Sequence, residues 1–425
     1  MMTRARSSLS SDTPPKVVLC GACMSGNIGG PALYISLVEA LTRSLPKVKV
    51  AVLSKYPTGD RIPSERRGWE LVDMRTIRQL VLGVPLGILA MLLRSIGLPV
   101  GWLYRGAFKP YADGDVLVDM SGIAFSDDRR GSGLLINALW LVPALGTGIP
   151  IVRASQAMGP FKDPLVRWTS RFFLKRSRII VARGSQSASY VRSLLPDRTI
   201  EELPDSAFSL EPASADVVDS VLAHCGLPRT RAFAAIGPSH VVDTYVRSVK
   251  GSDLYAETMA AAVETIRKES GLDIVLIAHE SKNEAESDLA VCKAVADRLG
   301  HPDYVHILEG IDDPQIVKGV CGRAEIAVGS RFHFLVATLS SGVPSLAVTW
   351  SHKYKEMMRM VGQERYAIAY ADLSMQDFKQ AVRELWTTRD EIRETLSKTL
   401  PEVIAAARRN AELVAAVLAS SRRKG

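Results

Sequence analysis

Cysteine is scarce in this chain, with five in 425 residues at positions 20, 23, 225, 292 and 321. So odd and scattered a set argues against a disulfide framework and for a reducing compartment. Cys20 and Cys23 form a C-x-x-C, but no further ligand pair stands at zinc spacing, so they read as small residues packing at a strand end. No long run of one charge is present either. The formal net charge is +8, from 53 Lys and Arg against 45 Asp and Glu. These basic residues are spread along the chain, and the local clusters at 171–178 and 422–424 read as solvated surface. The balance therefore speaks against nucleic acid and for anionic partners such as a phosphorylated donor, a lipid diphosphate or a membrane surface. There is no G-x-G-x-x-G and no Walker lysine loop, so nucleotide binding is not licensed by motif. Repeats and low-complexity tracts are lacking, and residues 1–15 read as a polar, disordered lead rather than a signal peptide.

What is present is an alternation of short apolar runs and helical patterns. Val17–Cys20, Val48–Leu53, Asp115–Met120, Pro150–Ala154 and Ile179–Ala182 read as strands, each followed by a helical segment. A second series of strands runs through Phe233–Ile236, Asp273–Ala278, Val305–Leu308, Glu325–Val328 and Ser345–Thr349. This predicts an α/β protein of two Rossmann-type domains with a cleft between them. The expected divisions are a lead at 1–15, an N-terminal acceptor-side domain at 16–210, a linker at 211–230, a C-terminal donor-side domain at 231–371 and helices at 372–425. One segment stands out, Leu80–Tyr104, whose only charge before its end is Arg94. Pro85, Pro99, several glycines and Arg94 are expected to break it into two shorter pieces. Buried or surface-packed helices rank first, membrane-surface attachment second and a bilayer span third.

Open parallel sheets bind ligands at the carboxyl ends of their strands, so the candidate residues sit in those loops. The first loop, GACMSGNIGG at 21–30, offers glycine freedom and amides facing a helix start, with Asn27 and Gly29 as candidates. In DVLVDMSG, Asp119 is a hydroxyl binder or base, or else a cap. Asp127 and Asp128 beyond it are a weak carboxylate pair, and no metal site is expected. In RASQAMGP, Ser155 and Gln156 can bond a polar ligand. Arg183 ends a strand where its planar fork suits a carboxylate or phosphate, or an interdomain salt bridge. His279 follows the strand before it in the same manner. The richest loop is GSRFHFLVATLSSGVPSLAVTWSHK at 329–353. Ser330, Arg331 and His333 stand at a helix start that favours an anion, and Lys353 follows the next strand. An arginine, a proton-carrying histidine and a lysine at one rim describe a receptor for a small anion plus an acid.

These segments resemble the polysaccharide pyruvyltransferase family. The likeness covers about residues 16–365 and rests on GNIGG, DVLVDMSG, ASQAMGPF, VARGSQSASYV, LPDSAFSL, VLIAHE and, above all, GSRFHFLVATLSSGVPSLAVTWSHKY. It implies a GT-B-like fold, phosphoenolpyruvate as donor substrate without a cofactor, and a hexose of a cell-surface glycan or exopolysaccharide, or its lipid-linked precursor, as acceptor. It implies donor-binding roles for Arg183, Arg331 and Lys353 and acid catalysis by His333. The chain departs from the family pattern where acids often stand, with Gly30, Ile123 and Gly184 in their places. The implied setting is cytoplasmic, at the inner face of the membrane if the apolar segment attaches there; homo-oligomerisation stays open. Two rivals remain at this point: a GT-B glycosyltransferase using a nucleotide sugar, and a non-catalytic membrane-surface component of glycan assembly.

Overall fold

Strands that are buried on both faces must be apolar throughout, and the apolar runs of this chain become such strands. A computed structural model describes residues 13–127, 132–251, 253–280 and 286–422. The lead expected at 1–15 lies outside them up to residue 12, as does Asp128. The first sheet contains β1 (Lys16–Cys20), β2 (Lys49–Ser54), β3 (Glu70–Asp73), β4 (Val116–Asp119), β5 (Ile151–Gln156), β6 (Ile179–Arg183) and β7 (Glu201–Leu203). Its order is β3-β2-β1-β4-β5-β6-β7, parallel throughout. The second contains β8 (Phe233–Gly237), β9 (Asp273–Ile277), β10 (Val305–Leu308), β11 (Ala327–Gly329), β12 (Ser345–Thr349) and β13 (Ala367–Ala369). Its order is β10-β9-β8-β11-β12-β13, again parallel. Each sheet reverses its strand order once, between β1 and β4 and between β8 and β11. Ligand loops of doubly wound sheets gather at such reversals.

The short edge strands β3, β7 and β13 are absent from the sequence expectation. They have three or four residues each, too few to carry a period, so periodicity does not reveal them.

The chain forms two units. The first holds residues 1–25, 33–206 and 406–425, and the second holds 26–32 and 207–405. Two helices are divided between them, α1 (Gly29–Ser44), whose first turn belongs to the second unit, and a long C-terminal helix, Arg389–Arg422. The 211–230 stretch expected as a linker contains the helix Ala215–His224, which buries Val218 and Leu222 in the second unit. Its Pro- and Ser-rich flanks hid an ordinary amphipathic pattern.

In the first unit the helical layers differ. On one face, Leu33, Leu37 and Leu41 of α1 pack with Val414, Val417 and Leu418 of the C-terminal helix. On the other lie α2 (Thr76–Ser95), α3 (Ser132–Leu139), α4 (Leu141–Thr147) and α5 (Pro164–Lys175). The expected break at Pro85 does not occur. Gln79–Gly83 forms a π-type turn and Pro85 sits in the first turn of the α-helical part that follows, where a missing N–H is tolerated. The helix ends instead near Ile96, before Pro99.

Candidate active site

The site is built at the strand reversal of the second unit. β11 ends at Gly329, and α6 (Phe332–Ser340) begins three residues later with Arg331 as its N-cap. Ser330 is fully buried and pinned on every side. Its amide donates to Gly237 O at 2.9 Å, its hydroxyl accepts from Tyr255 Oη at 2.7 Å, and its carbonyl accepts from Tyr354 Oη at 2.9 Å. Ser330 is thus a fixed corner of the loop, in place of the ligand contact expected of it.

Arg331 turns its fork onto two acids. Nε donates to Asp288 Oδ2 at 2.6 Å, and Nη2 donates to Asp288 Oδ1 at 2.7 Å and Glu280 Oε2 at 2.6 Å. Asp288 is buried and also accepts from the His240 amide at 2.8 Å. Burial alone would push the Asp288 carboxyl up and the guanidinium down; the bidentate pair opposes both, and Arg331 ends above its ordinary value. The side chain nevertheless keeps 21% of its surface exposed. Glu280 and Asp288 escaped the sequence reading. The only available signals were an acid directly after His279 and one opening a helix behind its Ser287 cap.

The GNIGG segment belongs to this same unit. Ile28 N donates to His279 O at 3.0 Å, Asn27 pairs with Glu280 in an isolated antiparallel bridge, and Asn27 Oδ1 accepts from Gly30 N at 2.9 Å. Gly29 then lies directly on the His333 imidazole, where a Cβ would collide with Nδ1. Only glycine permits this approach. His279 is buried, edge-on to Phe334 at 5.5 Å, and neither ring nitrogen has a hydrogen-bond partner among the described residues. Burial first, then the neighbouring Arg331 and His333, push its pKa down to about 3. It is therefore a neutral wall of the site at neutral pH.

Phe332 links the remaining cations. His333 meets its ring edge-on at 5.4 Å, and the Lys353 ammonium lies 5.3 Å from the same ring, 4.6 Å from Trp350 and 5.5 Å from Tyr354. Arg331, His333 and Lys353 are thus neighbours, as are Asn27, Gly29 and His279.

The first-unit candidates are engaged otherwise. Asp119 is fully buried. It accepts from Arg153 Nη1 at 2.6 Å, from Ser121 N at 2.9 Å and from Ser121 Oγ at 2.7 Å, which replaces the expected role as base. Gln156 is turned inward, and its Nε2 donates to the Asp119 carbonyl at 2.8 Å. Ser155 accepts from Ser206 N at 2.9 Å. Arg183 is buried against Asp205 and donates to Gly122 O at 2.7 Å, so its fork serves the first unit's own loops. The salt-bridge alternative holds for Arg183, but with a partner in its own unit. Asp127 likewise accepts from the Lys162 and Asp163 amides.

Comparison with solved structures reaches the fold. UDP-GlcNAc 2-epimerase from Neisseria meningitidis, bound to UDP-GlcNAc, superposes with a TM-score of 0.60 at 10% identity, over 95% of this chain and 100% of that one. A putative UDP-N-acetylglucosamine 2-epimerase from Listeria monocytogenes gives 0.58 at 11% identity, over 93% and 94%. A spinosyn rhamnosyltransferase complexed with spinosyn aglycone gives 0.54 at 14%, over 94% and 99%. With the strand orders above, these establish a GT-B-like architecture of two Rossmann-type units. The polysaccharide pyruvyl transferase family model matches residues 27–352, from the GNIGG segment through the helix that carries His333 and on to the start of the helix that carries Lys353, and the chain belongs to that family.

Proposed function

We propose that this transferase takes phosphoenolpyruvate as donor and places a pyruvate ketal on a hexose of a cell-surface glycan or its lipid-linked precursor. The observation that carries this reading is the group at the start of α6. There His333 rests on Gly29 beside Arg331, whose charge is fixed by Asp288 and Glu280, with Lys353 across the Phe332 ring. A helix start next to two cations suits a small molecule bearing both carboxylate and phosphate.

In this mechanism Lys353 and the exposed part of Arg331 hold the donor's anionic groups. His333, protonated, gives its proton to the methylene carbon, and the central carbon becomes oxocarbenium-like. One sugar hydroxyl bonds to that carbon and its proton restores His333. A second hydroxyl then displaces phosphate, which carries off the second proton, and the ketal closes. Arg183 and Asp119 have no part in this scheme, because Arg183 is buried against Asp205 and Asp119 against Arg153 inside the first unit. We place the reaction in the cytoplasm, where phosphoenolpyruvate would be at hand.

The test is phosphate release from phosphoenolpyruvate with a panel of free and lipid-linked glycosides, followed by mass analysis for the added ketal. His333→Ala should lower turnover by roughly 10²–10⁴-fold while thermal stabilisation by phosphoenolpyruvate persists. Retained turnover would remove His333 as the acid. Stabilisation by UDP, with none by phosphoenolpyruvate, would favour a nucleotide-sugar transferase instead.

A further inference from the structure

The largest feature the reaction leaves unused is the outer face of α2 and the loop after it. α2 is assembled inside out. Its inward stripe is made of small residues, Gly83, Gly87 and Ala90, all buried. They let the backbone approach α4 closely: a Cβ on Gly87 would stand 2.6 Å from the Val142 carbonyl, and one on Gly146 would stand 2.9 Å from Ala90 Cβ. Leu86 and Leu93 reach partly inward, and most of the other large apolar side chains point away. Leu82, Ile88, Leu89, Leu92, Ile96 and Trp102 are between 46% and 72% exposed. Positions 82, 89, 92 and 96 repeat at intervals of seven, three and four, which is one face of a helix.

Charge says what this face meets. Between Asp73 and Asp113 the chain has no acidic residue and five basic ones, Arg75, Arg78, Arg94, Arg105 and Lys109. Asp73 is shared by Arg75 and Arg78, while Arg105 and Lys109 are exposed beside Trp102. A second copy laid on this face would bring no carboxylate from this segment to meet Arg105 and Lys109, so its charge does not favour self-association. An apolar ridge with a basic margin and an interfacial tryptophan matches an anionic headgroup layer. Thr76–Ser95 is long and apolar enough, by length and composition, to cross a bilayer. Yet it leaves β3 and leads back to β4 of the same sheet, and its inner stripe is packed on α4, so it lies flat on the fold.

We infer that the outer face of α2, with the loop through Lys109, docks in the plane of an anionic bilayer surface. The inference is independent of the reaction; its consequence would be to hold the enzyme where lipid-linked acceptors reside.

The full-length chain should co-sediment with vesicles of phosphatidylcholine and phosphatidylglycerol, and far less with phosphatidylcholine alone. Leu89→Glu with Leu92→Glu should weaken that binding at least about tenfold, at unchanged melting temperature and unchanged turnover of a soluble acceptor. Arg105→Glu with Lys109→Glu should remove much of the salt sensitivity. Trp102→Phe should reduce tryptophan quenching by brominated lipid. The inference is overturned if the wild-type chain stays in the supernatant with anionic vesicles, or if the double glutamate variant sediments as before. It is also overturned if the same variant instead dissolves a wild-type dimer, which would make the face a protein interface. Absence of phosphate release would defeat the proposed reaction and leave the sedimentation result standing.

Discussion

Each unit carries an arginine at or just beyond the C-terminal end of a strand, and the two have different fates. In the first unit Arg183, and Arg153 one strand earlier, are buried against one carboxylate each, Asp205 and Asp119. In the second, Arg331 meets two carboxylates yet keeps a fifth of its surface, with His279, His333 and Gly29 around it. A buried arginine paired with a carboxylate of its own fold holds loops in place. One that stays partly open, beside a histidine at a helix start, can still act on a small anion. The same residue type at the carboxyl ends of strands in two similar sheets thus serves structure in one and, on our reading, chemistry in the other.

That contrast can be broken experimentally. The largest effect is expected in the first unit, where Asp119→Ala strands Arg153 in the core and should destabilise the protein by about 3–5 kcal/mol. A denaturant titration measures it, and an unchanged midpoint would end the structural reading of that pair. Next is Gly29→Ala, which must push the His333 ring aside and should lower kcat about 100-fold with little change in stability. Steady-state kinetics against melting temperature separate the two, and full activity would show that the Gly29–His333 approach is dispensable.

A third test sharpens the comparison by pH. His279 has a folded pKa of about 3 against an ordinary 6.5, so the unfolded chain takes up the proton first as pH falls. Its share of stability is whole above pH 6.5 and drains toward pH 3, by up to about 1.4 kcal/mol per pH step of one. His279→Phe should flatten that slope in denaturation curves recorded across the interval, and an unaltered slope would mean that the ring is hydrated.

Much of this was legible in the chain itself. The inner strands of both sheets, and the crowding of Arg331, His333 and Lys353, follow from local pattern, because apolar runs and helix starts are properties of a few adjacent residues. The edge strands β3, β7 and β13 were not legible, being too short to carry a period, although the edge strand β10 was. Nor were the partners of Arg331: Asp288 and Glu280 lie 43 and 51 residues away, and nothing local announces them. The segment Leu80–Tyr104 was expected to break in two through Pro85, Pro99, its glycines and Arg94, whereas the helix runs unbroken past Pro85 and Arg94 to Ser95.

By itself, then, the sequence determined the inner strands of both sheets, the family and the helix start after Gly329, all of which depend on neighbours along the chain. The tertiary structure alone decided which arginines are spent and which face of α2 is left bare. It also decided that Gly29 seats His333. A charge or an apolar face gains its role from what the sheet crossovers bring against it, and those partners are distant in sequence.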